Sequence, residues 1–256
     1  MKNFRHQHQR PKKNTLIIGR EQVIKAINEG KQLERIYLQS TAHGPVIDEI
    51  KALAATALVP INKVPVEKLN GFNVSNHEGC IAQISKIQYQ DLQQVISFIV
   101  DKGEVPFFVM LDGITDIRNI GAIARSSFCF GANALIIPDK GVGALNEDAI
   151  LTSAGALEQI AVCRVGSLMK AVDELHLNGI KVYASEMTAN KIISECDFTE
   201  PCAIVMGGEE HGVYPALMKI CDGVFKIPMP GNFDSLNVSV ATGITLYEAM
   251  RQRSGS

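Results

Sequence analysis

From Val105 onward, short unbroken apolar runs alternate with stretches of helical periodicity, and this alternation limits the possible folds more than any other feature. Residues 107–111, 134–137, 160–165, 181–184 and 203–206 read as strands. Between them, 119–130 places Ile120, Ile123, Ala124 and Ser127 on one helical face, and 147–153 and 168–177 are further helices, the last closed by Gly179. Strands without polar alternation are buried on both faces. The expected class is therefore α/β, with a parallel sheet covered on each side by helices.

A smaller α/β pattern precedes it. Residues 21–28 carry Val23, Ile24 and Ile27 at helical spacing and end at Gly30. Residues 35–38 read as a strand, 46–57 as a helix, 59–64 as extended around Pro60, and 79–87 as an alternating strand. The chain thus divides into a disordered basic arm at 1–13, a small domain at 14–86, a linker at 87–104 with one amphipathic helix at 92–100, and a larger domain at 105–256.

Charge is distributed unevenly along this plan. The net charge is −2, yet six of the 25 basic residues (Lys2, Arg5, Arg10, Lys12, Lys13 and Arg20) precede Glu21, the first of the 27 acidic ones. The body is acidic and the arm basic. Alone, such an arm reads as a solvated terminus; beside a nucleic-acid motif it suits phosphate contact and counterion release. No apolar run reaches the ~18–20 residues of a membrane span, and the start lacks the apolar core of a signal peptide, so a cytosolic protein is expected. Six cysteines without a C-x-x-C pair indicate reduced thiols rather than zinc or a disulfide framework.

Several common sites are missing. The best glycine-rich turn, 140–146, has Gly141 and Gly143 but no third glycine, which argues against a Rossmann dinucleotide site. There is no P-loop, no histidine pair at metal spacing and no G-x-S-x-G elbow.

What remains is a set of polar residues at strand ends. Asp112 and Gly113 close the 107–111 run, and Asn119 is of the type that caps helices. Arg125 lies inside the same helix, ~600° of rotation further on, so it does not share a face with Asn119. A guanidinium forks onto a phosphate or a developing alkoxide and stays protonated, which favours positioning over base catalysis. Met206, Gly207, Gly208 and Glu209 follow the 203–205 run, where glycines let backbone amides approach a ligand. Ile227, Pro228 and Met229 end another strand-like stretch. Ser235, Leu236 and Asn237 precede a final helix, which Ser235 is placed to cap and on which Val240, Ile244 and Tyr247 form an apolar stripe.

In this order, the segments 111–127 (LDGITDIRNIGAIARSS), 205–210 (VMGGEE), 224–228 (VFKIP) and 235–241 (SLNVSVA) resemble the signature motifs of the SpoU (TrmH) family of RNA 2′-O-ribose methyltransferases. The resemblance implies S-adenosylmethionine as cofactor, RNA as substrate and no metal. It implies catalytic roles for Asn119, Arg125, Glu209, Ser235 and Asn237, and cofactor contacts at Met206, Gly207, Ile227, Met229 and Leu236. It further implies a SPOUT-type α/β fold with a deep trefoil knot, and a homodimer. The 14–86 unit resembles the ribosomal-protein-like substrate-binding domain of the RlmB-like subgroup, which methylates a guanosine of 23S ribosomal RNA. Glu210-His211 departs from the family's usual Glu-Gly-x-Gly, and His211 reads as a loop residue. The alternatives are a transfer RNA 2′-O-methyltransferase, an antibiotic-resistance methylase of the same family, and a non-catalytic RNA-binding assembly factor.

Overall fold

The structure, a computed structural model, describes residues 15–231 and 235–255. The arm at 1–13 and the residues Asn232, Phe233 and Asp234 lie outside the described residues. The chain forms two units that divide between Lys86 and Ile87.

The first unit runs β1 (Leu16–Ile18), α1 (Arg20–Asn28), β2 (Leu33–Gln39), α2 (Pro45–Thr56), β3 (Ile61–Val64), α3 (Val66–Asn70) and β4 (Cys80–Ile84). Its sheet has the order β1-β4-β2-β3, with β4 antiparallel to both neighbours and β3 parallel to β2. The two-residue period of β2 sorts its side chains. Ile36 and Leu38 join the core built with Val23, Ile47 and Ile50 of α1 and α2, whereas Tyr37 turns to the other face, 5.0 Å from the ring of Phe72.

The second unit runs β5 (Tyr89–Gln90), α4 (Leu92–Asp101), β6 (Phe107–Asp112), α5 (Ile117–Cys129), β7 (Ala134–Pro138), α6 (Glu147–Thr152), β8 (Ala161–Val165), α7 (Leu168–Leu177), β9 (Lys181–Ser185), β10 (Lys191–Ile192), β11 (Cys202–Gly207), α8 (Pro215–Met218), β12 (Gly223–Lys226) and α9 (Val238–Ser254). Its eight strands are ordered β10-β12-β9-β11-β6-β7-β8-β5, and every adjacent pair is parallel. The edge strands β5 and β10 are two residues each. Unbroken apolar strands serve two cores here. Phe107, Val109 and Leu111 of β6 pack with Ile120, Ile123 and Leu246 on one face, and Phe108 and Met110 pack with Ile96, Val172 and Leu175 on the other.

Three local expectations change. The stretch 87–104, read as a linker, is built into the second unit. β5 pairs with Val162 and Cys163 of β8, and α4 buries Leu92, Val95, Ile96 and Ile99. Asn119 does not cap its helix. Asp116 does, accepting from the Arg118 N–H at 2.9 Å, because the extended residue that starts the helix lies three positions earlier. The final helix is likewise capped by Asn237 rather than Ser235. The apolar stripe of that helix faces outward: Val240, Ile244 and Tyr247 are 49%, 39% and 54% exposed, while Val238, Thr242, Thr245, Leu246 and Ala249 are buried. The inward threonine hydroxyls are satisfied on their own helix, donating to the carbonyls of Val238 and Ala241. Among the described residues no helix is long and apolar enough to cross a membrane, and no group of three His, Cys, Asp or Glu could hold a metal ion.

Candidate functional site

The site lies where the carboxyl ends of β6 and β11 meet, the edge at which open parallel sheets place ligands. The two strands are in register, with Gly207 opposite Asp112. Asp112 closes the loop that follows β11 from both ends. Its carbonyl accepts from the Gly208 N–H at 2.8 Å, and its carboxylate accepts from the Tyr214 N–H at 2.7 Å. Within the loop, the Gly212 N–H donates to the Gly208 carbonyl at 2.9 Å. The glycines are there for space. A Cβ on Gly207 would run into the backbone of Gly212 and Val213, and one on Gly208 into the carbonyl of Gly113.

This folded loop aims Glu209 at two helix starts. The Asn119 side-chain amide donates to Glu209 Oε1 at 2.9 Å, and the Asn237 amide donates to the same oxygen at 2.7 Å. Asn237 also donates to Asn119 Oδ1 at 3.1 Å. Asn119 sits in the first turn of α5, which Asp116 holds by its cap and by an ion pair with Arg118 at 2.7 Å. That carboxylate pushes the Arg118 guanidinium pKa further up. Asn237 has its orientation set from behind: its Oδ1 accepts from the Ser239 N–H at 3.0 Å and hydroxyl at 2.6 Å, which leaves the NH2 group pointing at Glu209.

Two cavities meet at Glu209. One, of about 270 Å³, is lined by Met206, Gly207, Glu209, Ile227, Met229, Ser235 and Leu236, together with Glu186, Met187, Lys226 and Val238. The other, of about 350 Å³, is lined by Gly113, Thr115, Asp116, Asn119, Gly141 and Glu210. Gly208, Glu209 and His211 border both. The structure therefore brings Asn119, Glu209 and Asn237 into one hydrogen-bonded group. It gathers Met206, Gly207, Ile227, Met229, Leu236 and Ser235 around one cavity. It does not bring in Arg125, which is exposed on α5, borders neither cavity and has no hydrogen-bond or ion-pair partner among the described residues.

The bridging role of Asp112 is not visible from its position at a strand end in the sequence. Sequence reasoning also missed Glu186, Met187 and Lys226. They follow or end β9 and β12, and the rule that ligands lie beyond the carboxyl ends of parallel strands would have found them.

Comparison with known proteins follows this division of the chain. The model of the SpoU rRNA methylase family matches residues 106–247, and the model described as RNA 2′-O ribose methyltransferase substrate binding matches residues 16–90. YacO of Bacillus subtilis, a protein named for the TrmH family of tRNA/rRNA methyltransferases, is 31% identical over 237 residues, which are 93% of this chain and 95% of YacO. A Synechocystis protein named as a tRNA/rRNA methyltransferase is 32% identical over 93% of this chain, which spans 62% of that relative's length. The crystal structure of the SpoU methyltransferase AviRb from Streptomyces viridochromogenes, solved with AdoMet, shares the fold with a TM-score of 0.59 at 23% identity, covering 94% of this chain and 91% of AviRb.

Proposed function

The chain belongs to the SpoU rRNA methylase family, and from that premise we propose that it transfers a methyl group from S-adenosylmethionine to the ribose 2′-oxygen of a guanosine in 23S ribosomal RNA. The observation that carries the reading is the convergence of Asn119 and Asn237 on one oxygen of Glu209, between two adjoining cavities. We assign the first cavity to the cofactor and the adjoining one to the acceptor nucleotide.

The residues around the smaller cavity fit S-adenosylmethionine. Met206, Ile227 and Leu236 supply apolar walls for an adenine and an aliphatic chain, and Glu186 and Glu209 supply carboxylates of opposite charge to a sulfonium. When bound, that cofactor supplies a methyl group already activated for displacement. The protein contributes orientation and electrostatics, which dominate when the nucleophile is a weakly acidic hydroxyl. Glu209, held by two amide donors, keeps a fixed carboxylate between donor and acceptor. Ser235 borders the cofactor cavity with its hydroxyl available as a partner. Arg125 serves as the cation that holds the RNA phosphate or the charge developing on the 2′-oxygen.

Arg125 stands outside its own chain's cavities but beside an apolar surface. Phe128 follows it by one helical turn and is 44% exposed, and the outward stripe of α9 lies next to α5 through the edge-on contact of Phe130 and Tyr247 at 6.2 Å. This surface supports the homodimer expected of the family, with a second copy covering Phe128, Ile244 and Tyr247. The trefoil knot belongs to the same reading.

The first unit is proposed to recognise the RNA. Its match to a substrate-binding model supports a role in RNA recognition, its resemblance to ribosomal RNA-binding proteins favours ribosomal over transfer RNA, and a ribosomal substrate goes with a cytoplasmic reaction. The test is to incubate the protein with S-adenosylmethionine and total RNA from cells lacking the gene, and then to map new 2′-O-methyl groups. A single guanosine in 23S RNA supports the reading. Methylated transfer RNA keeps the chemistry and overturns the target. Absence of both transfer and cofactor binding overturns the enzyme reading.

A further inference from the structure

β6, β11 and α9 bring Asp112, Glu209 and Asn237 together at one end of the sheet, and a single guanidinium ties the same three elements at the other end. Arg253, in the last turn of α9, donates from Nε to the Phe198 carbonyl at 2.7 Å and from Nη2 to the Glu200 carbonyl at 2.9 Å, both in the segment leading into β11. It donates to the carbonyls of Val105 at 3.0 Å and Pro106 at 3.2 Å, immediately before β6. The guanidinium carbon lies 4.6 Å from the centre of the Phe107 ring, and Nη2 lies 3.5 Å from the Cys202 sulfur, so the first residue of each strand is also touched. Gln252 adds to the tie on the β11 side, donating to the Cys196 carbonyl at 3.1 Å and accepting from the Phe198 N–H at 2.9 Å. Arg251, two residues earlier, bonds among the described residues only within its own helix, to Glu248 at 2.8 Å.

Four carbonyls spread over two chain segments define the plane and position of a fork whose donors are fixed relative to one another. An α-helix transmits such a constraint along its axis, because its rise of ~1.5 Å per residue is set by its own hydrogen bonds. Asn237 lies ~24 Å from Arg253 on this rod. The bonds between Asn237, Asn119 and Glu209 span 2.7–3.1 Å and tolerate little axial slip. We propose that Arg253 is a positioning residue of the site: by fixing the axial register of α9 against β6 and β11, it sets Asn237 against Glu209. The kinetic consequence rests on the methyl-transfer reading; the geometric one does not.

The test uses the full chain with Arg253→Lys, Arg253→Ala and, as a charge control, Arg251→Ala. Methyl transfer to RNA is measured per cofactor-binding site, with sites counted by calorimetry using S-adenosylmethionine, and amide hydrogen exchange is followed over residues 238–242. Arg253→Lys keeps the charge and the aliphatic stem while losing the fork, so it guards against a variant that fails to fold. Arg253→Lys should lower kcat per site by about 10- to 100-fold, the cost of a small misplacement transmitted from afar, leave KM for RNA unchanged and speed exchange at 238–242. Arg251→Ala should change neither. A merely structural arginine would reduce the number of binding sites and the Tm while leaving kcat per site at the wild-type value, and that result overturns the proposal. If the wild-type chain methylates no RNA, the functional reading fails instead. Exchange then decides alone, and unchanged protection at 238–242 in both Arg253 variants overturns the proposal.

Discussion

Asn237 donates to Glu209 Oε1 at 2.7 Å while its own Oδ1 caps α9 through the Ser239 N–H at 3.0 Å. One side chain thus belongs to the site and to the fold. A flipped amide would set oxygen against the Glu209 carboxylate and NH2 against the Ser239 N–H, so the cap determines which end of the amide enters the site.

The two roles separate by substitution. Asn237→Ala should lose a cap worth about 1 kcal/mol, lowering Tm by about 2–4 °C, together with methyl transfer. Asn237→Ser keeps a capping oxygen but has no amide to reach Glu209. It should melt near the wild type and still lose at least about tenfold in kcat, the order expected when a donor to a charged group is removed. Wild-type turnover in the serine variant would show that the bond to Glu209 is dispensable.

Asp112 should matter for cofactor affinity although it borders neither cavity. Its carboxylate fixes the exit of the 207–214 loop at Tyr214. Asp112→Ala removes a charge-assisted bond to backbone and should weaken S-adenosylmethionine binding by about tenfold, read by calorimetry. Asp112→Asn, which keeps an acceptor, should lose less.

Arg125→Ala should abolish methyl transfer while cofactor affinity stays near the wild type, since the guanidinium borders neither cavity. Single-turnover methylation alongside calorimetry separates the two quantities. Retained turnover would refute its catalytic role.

Ile244 is 39% exposed in the single chain and lies mid-stripe on α9. Ile244→Glu should convert a dimer to a monomer in sedimentation without lowering Tm of the folded chain, because a carboxylate there meets water in the monomer. A wild-type chain that sediments as a monomer would sink the dimer reading.

Glu248 carries a pH signature. Hydrogen bonds from Arg251 and Gln252 hold its carboxyl pKa down at about 2. A depressed folded-state pKa means stability that is fully present above the unfolded carboxyl's ordinary value of 4.5 and is lost as pH falls from there toward about 2. Between those values the wild type should lose more Tm per pH unit than Glu248→Gln, as followed by circular dichroism. Parallel curves would remove Glu248 from the acid response.

Much of the second unit is legible in the sequence because central strands such as the run from Phe107 to Leu111 are apolar at every position, which only a doubly covered sheet accommodates. The cavity residues Met206, Ile227 and Leu236 are legible as motif positions. The bond between Asn119 and Glu209, 90 residues apart, is not, since no local pattern carries a contact across that distance. Periodicity reveals that Val240, Ile244 and Tyr247 share a face of α9 but not whether the chain itself covers that face. Cap identity turns on backbone dihedrals, so Asp116 and Asn237 prevail over equally suitable neighbours. The 87–104 stretch reads as a connector because β5 is too short to register as a strand.

The brevity of β5 and β10 bears on how the second unit behaves in a crowded solution. At two residues each, the margins of its eight-stranded sheet offer an incoming extended chain almost no ladder to template on. Polymerisation by strand addition is thereby disfavoured, and helix faces rather than sheet edges are the surfaces this unit has to offer a partner.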